Sequence, residues 1–131
     1  MLQSFVSNPP AAEFTAETAD LEGEWTNEFG SRLALTVASD GSVRGKYWGA
    51  AESTKALEGF PVVGLRTGTV LSLTAHLWKD RSVMNLVGHY TEENGWPAIK
   101  AVCMLAKNVA DQDDPTDSGS SIITGYNHFM R

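Results

Sequence analysis

The chain has 131 residues, 42% hydrophobic and 20% charged, a balance typical of one globular domain with one core. Its formal net charge is −6, so it repels nucleic-acid phosphates and anionic membrane surfaces, and we expect neither as a partner. The single cysteine, Cys103, excludes an intrachain disulfide and a thiolate zinc site. No basic leader and no apolar run of membrane length is present, so we expect a cytoplasmic protein.

The first twenty residues differ from the rest of the chain. The segment "SNPPAAEFTAE" contains a proline pair and shows no lasting period. We therefore predict a flexible N-terminal arm over residues 1–20 and one β domain over residues 21–131.

Alternation of apolar and polar residues begins at residue 21 and predicts half-buried strands. Trp25, Leu33 and Leu35 share one parity, and "SDGS" (39–42) is a strong hairpin signal because Asp-Gly tolerates positive φ. The same buried parity includes Asn27, Ser31 and Tyr47. Three hydrogen-bonding side chains therefore face the predicted interior, as a ligand site or as a hydrogen-bonded core network.

Further short strands follow at regular spacing, separated by the turn signals "RTG", "KDR" and "EENGW". The predicted strands are residues 56–63, 69–78, 82–90, 97–106 and 121–129. Such a series predicts an up-and-down barrel or a sandwich, and an eight-stranded barrel can hold one small ligand. The polar segment 108–120 is predicted as a loop.

Several motifs resemble the avidin and streptavidin family in order and spacing. They are "GEWTNEFGS", "DGSVRGKY", "LEG", "LWKD", "VGHY" and "TGYN-F", spread over residues 21 to 130. The resemblance implies an all-β fold, an eight-stranded antiparallel up-and-down β-barrel.

The resemblance also implies a biotin-type pocket. Residues that match the family's ureido-oxygen donors are Asn27, Ser31 and Tyr47. Asn127 matches the partner of a ureido N–H, Ser82 matches a contact to the carboxylate end, and Trp78 matches an aromatic wall. Biotin is thus the candidate ligand, and no other cofactor is expected.

The aromatic walls of the family are reduced in this sequence. Leu86 and Cys103 stand where the family has tryptophans, Gly119 stands near a third, and Met84 replaces a ligand-contacting threonine. Loss of such rings typically costs a few kcal/mol each. We therefore expect weakened biotin affinity, or a larger ligand. The predicted ligand-binding residues are Asn27, Ser31, Tyr47, Trp78, Ser82, Leu86, Cys103, Leu105 and Asn127.

The fifth strand has two interpretations. Leu71, Leu73, Ala75 and Leu77 share a face opposite to Trp78. Either a bulge returns Trp78 to the interior, or Trp78 lies outside and the apolar set lines the barrel. If the even-numbered face is inward, His76 also enters the pocket.

The sixth and seventh strands are apolar on both faces, since Val83, Val87, Val102 and Met104 have outward parity. An exposed apolar patch commonly marks an interface, and avidin-like barrels pair through this region. We expect a homodimer, with a tetramer as the alternative.

Three functional hypotheses follow. The first is a binding protein for biotin or a related cyclic urea or amide. The second is an enzyme of cyclase or isomerase type, in which Asn27, Ser31 and Tyr47 stabilise an oxyanion of a larger natural-product-like substrate and Tyr47 or His76 acts as acid or base. The third is a dimeric interaction module with a vestigial pocket. The three histidines lie on different strands without metal-ligand spacing, so no metal site is expected.

Overall fold

A computed structural model describes residues 20–50, 58–108 and 122–131. Eight antiparallel strands form one closed barrel in which each strand pairs with the next in sequence. The strands are β1 (Gly23–Asn27), β2 (Arg32–Val37), β3 (Ser42–Trp48), β4 (Phe60–Thr67), β5 (Val70–Leu77), β6 (Ser82–Glu93), β7 (Trp96–Lys107) and β8 (Ile122–Met130). The predicted eight-stranded up-and-down barrel is confirmed, and the sandwich alternative is wrong.

The strand pairings differ greatly in length. β6 and β7 pair from Ser82–Lys107 to Glu93–Trp96, the longest ladder of the barrel. β8 returns to β1 through Thr26–Met130 and Asn27–Phe129 alone. The barrel is therefore closed by its shortest ladder, directly beside Asn27.

The core is built from the inward-facing residues of all eight strands, with Trp25 at one end. Trp25 is 0% exposed, and its Nε1 donates to the Leu21 carbonyl oxygen at 3.0 Å. The Arg131 guanidinium lies 4.3 Å from the ring centre, and Tyr90 makes an edge contact with the ring. These contacts satisfy the indole N–H and exclude water from this end of the barrel.

The predicted "SDGS" turn connects β2 and β3. Asp40 Oδ1 accepts hydrogen bonds from the Ser42 N–H (2.9 Å) and hydroxyl (2.7 Å), and these bonds lower the pKa of Asp40 below its usual value. Gly41 has φ of 92°, and a Cβ there would lie 2.7 Å from the Arg66 carbonyl oxygen. Glycine is thus required by both backbone angle and space.

The structure decides which face of β5 is inward. β5 pairs with β6 from Val70–His89 to Leu77–Ser82 without an extra residue, so no bulge reverses the alternation. Leu71, Leu73, Ala75 and Leu77 are buried. His76 is exposed on the outer face, and Trp78 follows the strand in a 3₁₀ turn, Trp78–Asp80. The alternative with an inward even-numbered face is wrong.

The outward apolar residues of β6 and β7 are as predicted. Val83, Val87, Val102 and Met104 are all exposed on the barrel surface. Val87 and Val102 belong to a row of outward residues that crosses five strands, each paired with the next. In order from β4 to β8, the row is Leu65, Ser72, Val87, Val102 and Tyr126. The outer face of β4–β8 therefore carries exposed apolar side chains on β4 and on β6–β8, with Ser72 of β5 between them.

Some predictions fall on segments outside the described residues. They are nearly all of the N-terminal arm, the start of the strand predicted over 56–63, and most of the loop 108–120. Within the three described ranges, no helix is long and apolar enough to cross a membrane. The same ranges hold no group of three or more potential metal ligands.

Two tryptophans test the core. Trp25→Ala removes a fully buried ring, and we expect the free energy of unfolding to fall by about 3–5 kcal/mol. Trp96→Ala, at a position 65% exposed, is the matched control, for which we expect a much smaller change. Urea unfolding followed by circular dichroism measures both, and equal losses would contradict this description of the core.

Candidate functional site

The loop from β1 to β2 places Asn27 and Ser31 side by side. The Asn27 N–H donates to the Ser31 carbonyl oxygen at 2.9 Å, and the Gly30 N–H donates to the Asn27 carbonyl oxygen at 3.1 Å. Gly30 has φ of 89°, which glycine adopts without a steric penalty. The interruption "FGS" in the alternation is therefore a tight turn that returns the chain beside the end of β1.

The orientation of the Asn27 amide is fixed by its own backbone neighbours. Oδ1 accepts hydrogen bonds from the N–H groups of Phe29 (3.0 Å) and Ser31 (2.8 Å). Backbone N–H groups donate only, so the atom that faces them is the oxygen and not the nitrogen. The two N–H bonds of Nδ2 therefore point away from the loop as donors.

One of these donors reaches across the barrel seam to Asn127 on β8. Asn27 Nδ2 donates to Asn127 Oδ1 at 2.5 Å. A carbonyl oxygen has two acceptor positions, so Asn127 Oδ1 keeps one for another N–H. The second N–H of Asn27 Nδ2 has no acceptor among residues 20–50, 58–108 and 122–131.

Two hydroxyl groups lie near this amide pair. Ser31 is 6% exposed, and its hydroxyl makes no hydrogen bond within the described parts of the chain. Tyr47 lies on β3 opposite Leu33 and packs partly against the core. Each of these hydroxyl groups can donate a hydrogen bond to a carbonyl-type oxygen, and such bonds are stronger in a partly buried site than in water.

Asn27, Ser31, Tyr47 and Asn127 line one cavity of about 350 Å³. The other walls are mostly apolar and come from β5–β8 and the β1–β2 loop. The remaining lining residues among those described are Phe29, Leu77, Met84, Cys103, Leu105, Ile123, Thr124, Gly125 and Tyr126. The cavity thus combines donors and acceptors at one end with apolar walls.

Comparison with known proteins agrees with this architecture. The family model described as "Avidin family" matches residues 15–131. The chain belongs to the avidin family. A search of curated proteins by sequence found no match.

Avidin-family structures share the fold. Rhizavidin in complex with biotin has a TM-score of 0.67 and 21% identity, covering 86% of this chain and 95% of its own. Apo shwanavidin has a TM-score of 0.67 and 24% identity, covering 86% and 97%. A further crystal structure of rhizavidin has a TM-score of 0.68 and 22% identity, covering 88% and 85%. At these identities the similarity shows the barrel fold alone. The character of the pocket therefore depends on this chain's own residues.

The avidin-family resemblance predicts nine ligand-binding residues, and the structure brings six of them together. The six that line the cavity are Asn27, Ser31, Tyr47, Cys103, Leu105 and Asn127. The other three, Trp78, Ser82 and Leu86, are not among the described residues that line it. A ligand role for all nine stays a prediction.

Those three residues lie around the cavity. Trp78 is 51% exposed and makes an edge contact with Phe60, 5.9 Å between ring centres. The buried Ser82 hydroxyl donates to the Asp80 carbonyl oxygen at 3.0 Å. Leu86 is a buried core residue paired with Cys103. Ser82 and Leu86 thus have structural partners that account for their burial.

Sequence reasoning missed several residues of this avidin-family cavity. Leu77 ends the buried set of β5, and Ile123 and Gly125 share the parity of Asn127, so strand alternation could have found all three. Met84 aligns with a ligand-contacting threonine of the family, a signal available from the resemblance. Phe29 lies in the β1–β2 loop, where no periodicity indicates which way a side chain points.

Cys103 is a titratable residue of the cavity whose pKa is perturbed. Burial raises the pKa of its thiol above the usual value, and a hydrogen bond with the Asn127 side chain opposes part of that rise. The neutral thiol is therefore favoured, and Cys103 acts as an apolar wall more than as a nucleophile.

The pH dependence of Cys103 alkylation tests this environment. Because the thiolate is the reactive form, we expect the midpoint of the pH–rate profile with iodoacetamide to lie above that of the chain unfolded in guanidinium chloride. Asn127→Ala removes the opposing hydrogen bond, so its midpoint should be higher still. A folded-state midpoint at or below the unfolded one would contradict the assignment.

Proposed function

We propose that the protein binds biotin or a related cyclic urea or amide in this cavity. The observation that carries the proposal is the fixed orientation of Asn27, which directs an N–H donor toward the cavity that the Ser31 and Tyr47 side chains also line. Asn127 Oδ1 lies beside them as an acceptor. A cyclic urea or amide presents an oxygen and an adjacent N–H, which match this set. The solved complex of rhizavidin with biotin supports the same ligand class.

The mechanism is capture in a preformed pocket. The Asn27 amide is held by backbone donors of its own loop, so ligand binding need not order it. Ser31 supplies a buried hydroxyl that gains a partner when a ligand oxygen arrives. Preorganised donors lower the entropy cost of binding and favour the polar end of the ligand in a fixed position.

Biotin affinity is expected to be weaker than in pockets with tryptophan walls. None of the four tryptophans is among the described residues that line the cavity. Leu77, Met84 and Leu105 supply aliphatic surface instead. An aromatic ring buries more apolar area than these side chains, so fewer contacts hold the ring system of the ligand.

The enzyme hypothesis has less support. One of its two acid–base candidates, His76, is exposed on the outer face of β5. A cyclase reaction would therefore depend on Tyr47 for proton transfer, and no observation favours that reaction over binding.

Tyr47→Phe tests the oxygen-binding group. We expect biotin to give a measurable heat of binding and a thermal shift with the unaltered protein. Loss of one hydroxyl donor should weaken binding about tenfold. Tyr90→Phe, a half-buried tyrosine against Trp25 outside the cavity lining, is the control and should not change the dissociation constant. No heat and no thermal shift at high biotin concentration would contradict the proposed function.

We further propose a homodimer that pairs the outer faces of β4–β8. Tyr126 is 80% exposed beside Val102, and a groove of about 410 Å³ lies on this face between Val87, Val102 and Tyr126. A second copy would cover apolar area that a single barrel leaves in water. Glu28, His89, Lys100 and His128 also line this groove, so the proposed interface combines apolar with polar and charged side chains.

Charge introduced at the centre of this face tests the dimer. Val87→Glu with Val102→Glu places two carboxylates on paired neighbours, and we expect native mass spectrometry to show a shift from dimer to monomer. Thr36→Glu on the exposed side of β2 is the control and should leave the dimer intact. A monomeric unaltered protein would overturn the proposed assembly without affecting the ligand proposal.

A further inference from the structure

The side chains that line the cavity are smallest where β7 and β8 meet. Cys103 and Gly125 are paired across these strands, and both line the cavity. On one side of this pair lie Leu105 and Ile123, and on the other Ala101 and Asn127. Two small residues facing each other thus form a recess in the wall, bordered by the Asn127 amide.

Gly125 is not required by backbone geometry or by close packing. At Gly45, Gly64 and Gly88, an added Cβ would lie 1.9, 2.0 and 2.1 Å from a carbonyl oxygen of the neighbouring strand. At Gly125 an added Cβ meets nothing within 4 Å, and the residue does not have a positive φ. An L side chain would fit, because the space in front of Gly125, an exposed residue that lines the cavity, is open.

The recess is apolar and belongs to a cavity that also contains polar groups. Leu105 and Ile123 supply aliphatic surface, and Cys103 supplies a thiol whose neutral form is favoured by burial. Ser31 is 6% exposed, lines the same cavity, and its hydroxyl makes no hydrogen bond to the described residues. This hydroxyl is therefore available to a molecule in the cavity.

We infer that this recess holds an apolar substituent of the ligand, carried on the ring carbon next to the N–H that meets Asn127. The inference rests on the proposed function, since Asn127 orients the ligand. It extends that function by naming the ligand class: a cyclic urea or amide with a bulky aliphatic or aromatic branch beside its N–H. The residues that select this branch are Cys103 and Gly125.

Two probes test the recess. Imidazolidin-2-one presents the polar ring alone, and 4-benzylimidazolidin-2-one adds an aromatic group on the carbon beside an N–H. Dissociation constants are measured by calorimetry, and the rate of Cys103 alkylation at increasing probe concentration reports whether the recess is covered. We expect the benzyl probe to bind about tenfold more tightly or better, because burial of a ring of this size is favourable. We also expect it to protect Cys103.

Filling the recess should remove this preference. Gly125→Val fills it from β8, and Cys103→Leu fills it from β7, so in both variants the dissociation constants of the two probes should approach each other. Thr36→Val places a valine on the outward face of β2 and is the control, in which the ratio should stay as in the unaltered protein. Circular dichroism checks that each variant is folded, and two independent variants keep the test decisive if one fails to fold.

Each outcome has a distinct meaning. If imidazolidin-2-one binds and the benzyl group adds no affinity, the inference that the recess holds a substituent is wrong and the proposed function stands. If the tenfold preference for the benzyl probe persists in both filled variants, the benzyl group lies elsewhere and the inference about the recess is again wrong. If neither probe nor biotin binds, the proposed function fails, and the recess fails with it as a ligand subsite.

Discussion

The structure depends on how the barrel is closed between its first and last strands. β1 and β8 share the pairs Thr26–Met130 and Asn27–Phe129, and side chains supply the contacts beyond them. Asn27 donates to Asn127, Glu28 accepts the N–H of His128 at 3.0 Å, and Arg131 donates to the carbonyl oxygens of Asp20 and Glu22. Asn27, one of the residues that close the barrel, therefore also lies at the polar end of the cavity. Barrel closure and the polar end of the cavity share this hydrogen-bonding group.

This dual role explains why polar side chains face the interior of a small β domain. The Asn27 amide already makes three hydrogen bonds to described residues, so it does not destabilise the core as an unpaired amide would. Ser31 lines the same cavity, and its hydroxyl makes no hydrogen bond to the described residues. Asn27 and Ser31 are held side by side by the hydrogen bond from the Asn27 N–H to the Ser31 carbonyl oxygen.

Much of the fold could be predicted from the sequence, because alternation and turn residues act locally. The Asp40–Gly41 turn and the buried parity of Trp25 and Asn27 follow from a few neighbouring residues. The inward face of β5 could not be predicted, since it depends on the register with β6, which a single strand does not encode. The position of Trp78 could not be predicted for the same reason. β5 ends at Leu77, and the Trp78 ring contacts Phe60 and is not among the described residues that line the cavity. The turn that orients Asn27 is set by backbone donors, and no pattern of residue types shows those bonds.

The polar end and the apolar walls of the cavity have largely separate origins in the chain. The Asn27 amide is oriented by hydrogen bonds between residues at most four positions apart, within the β1–β2 loop, and Asn127 joins it from β8. The apolar walls come mostly from β5 to β8, distant in sequence. Substitutions of the wall residues other than Asn127 therefore leave the local bonds that orient Asn27 in place. A library randomised at Leu77, Met84, Leu105 and Ile123, with Asn127 unchanged, would vary the shape of the cavity around a constant polar end.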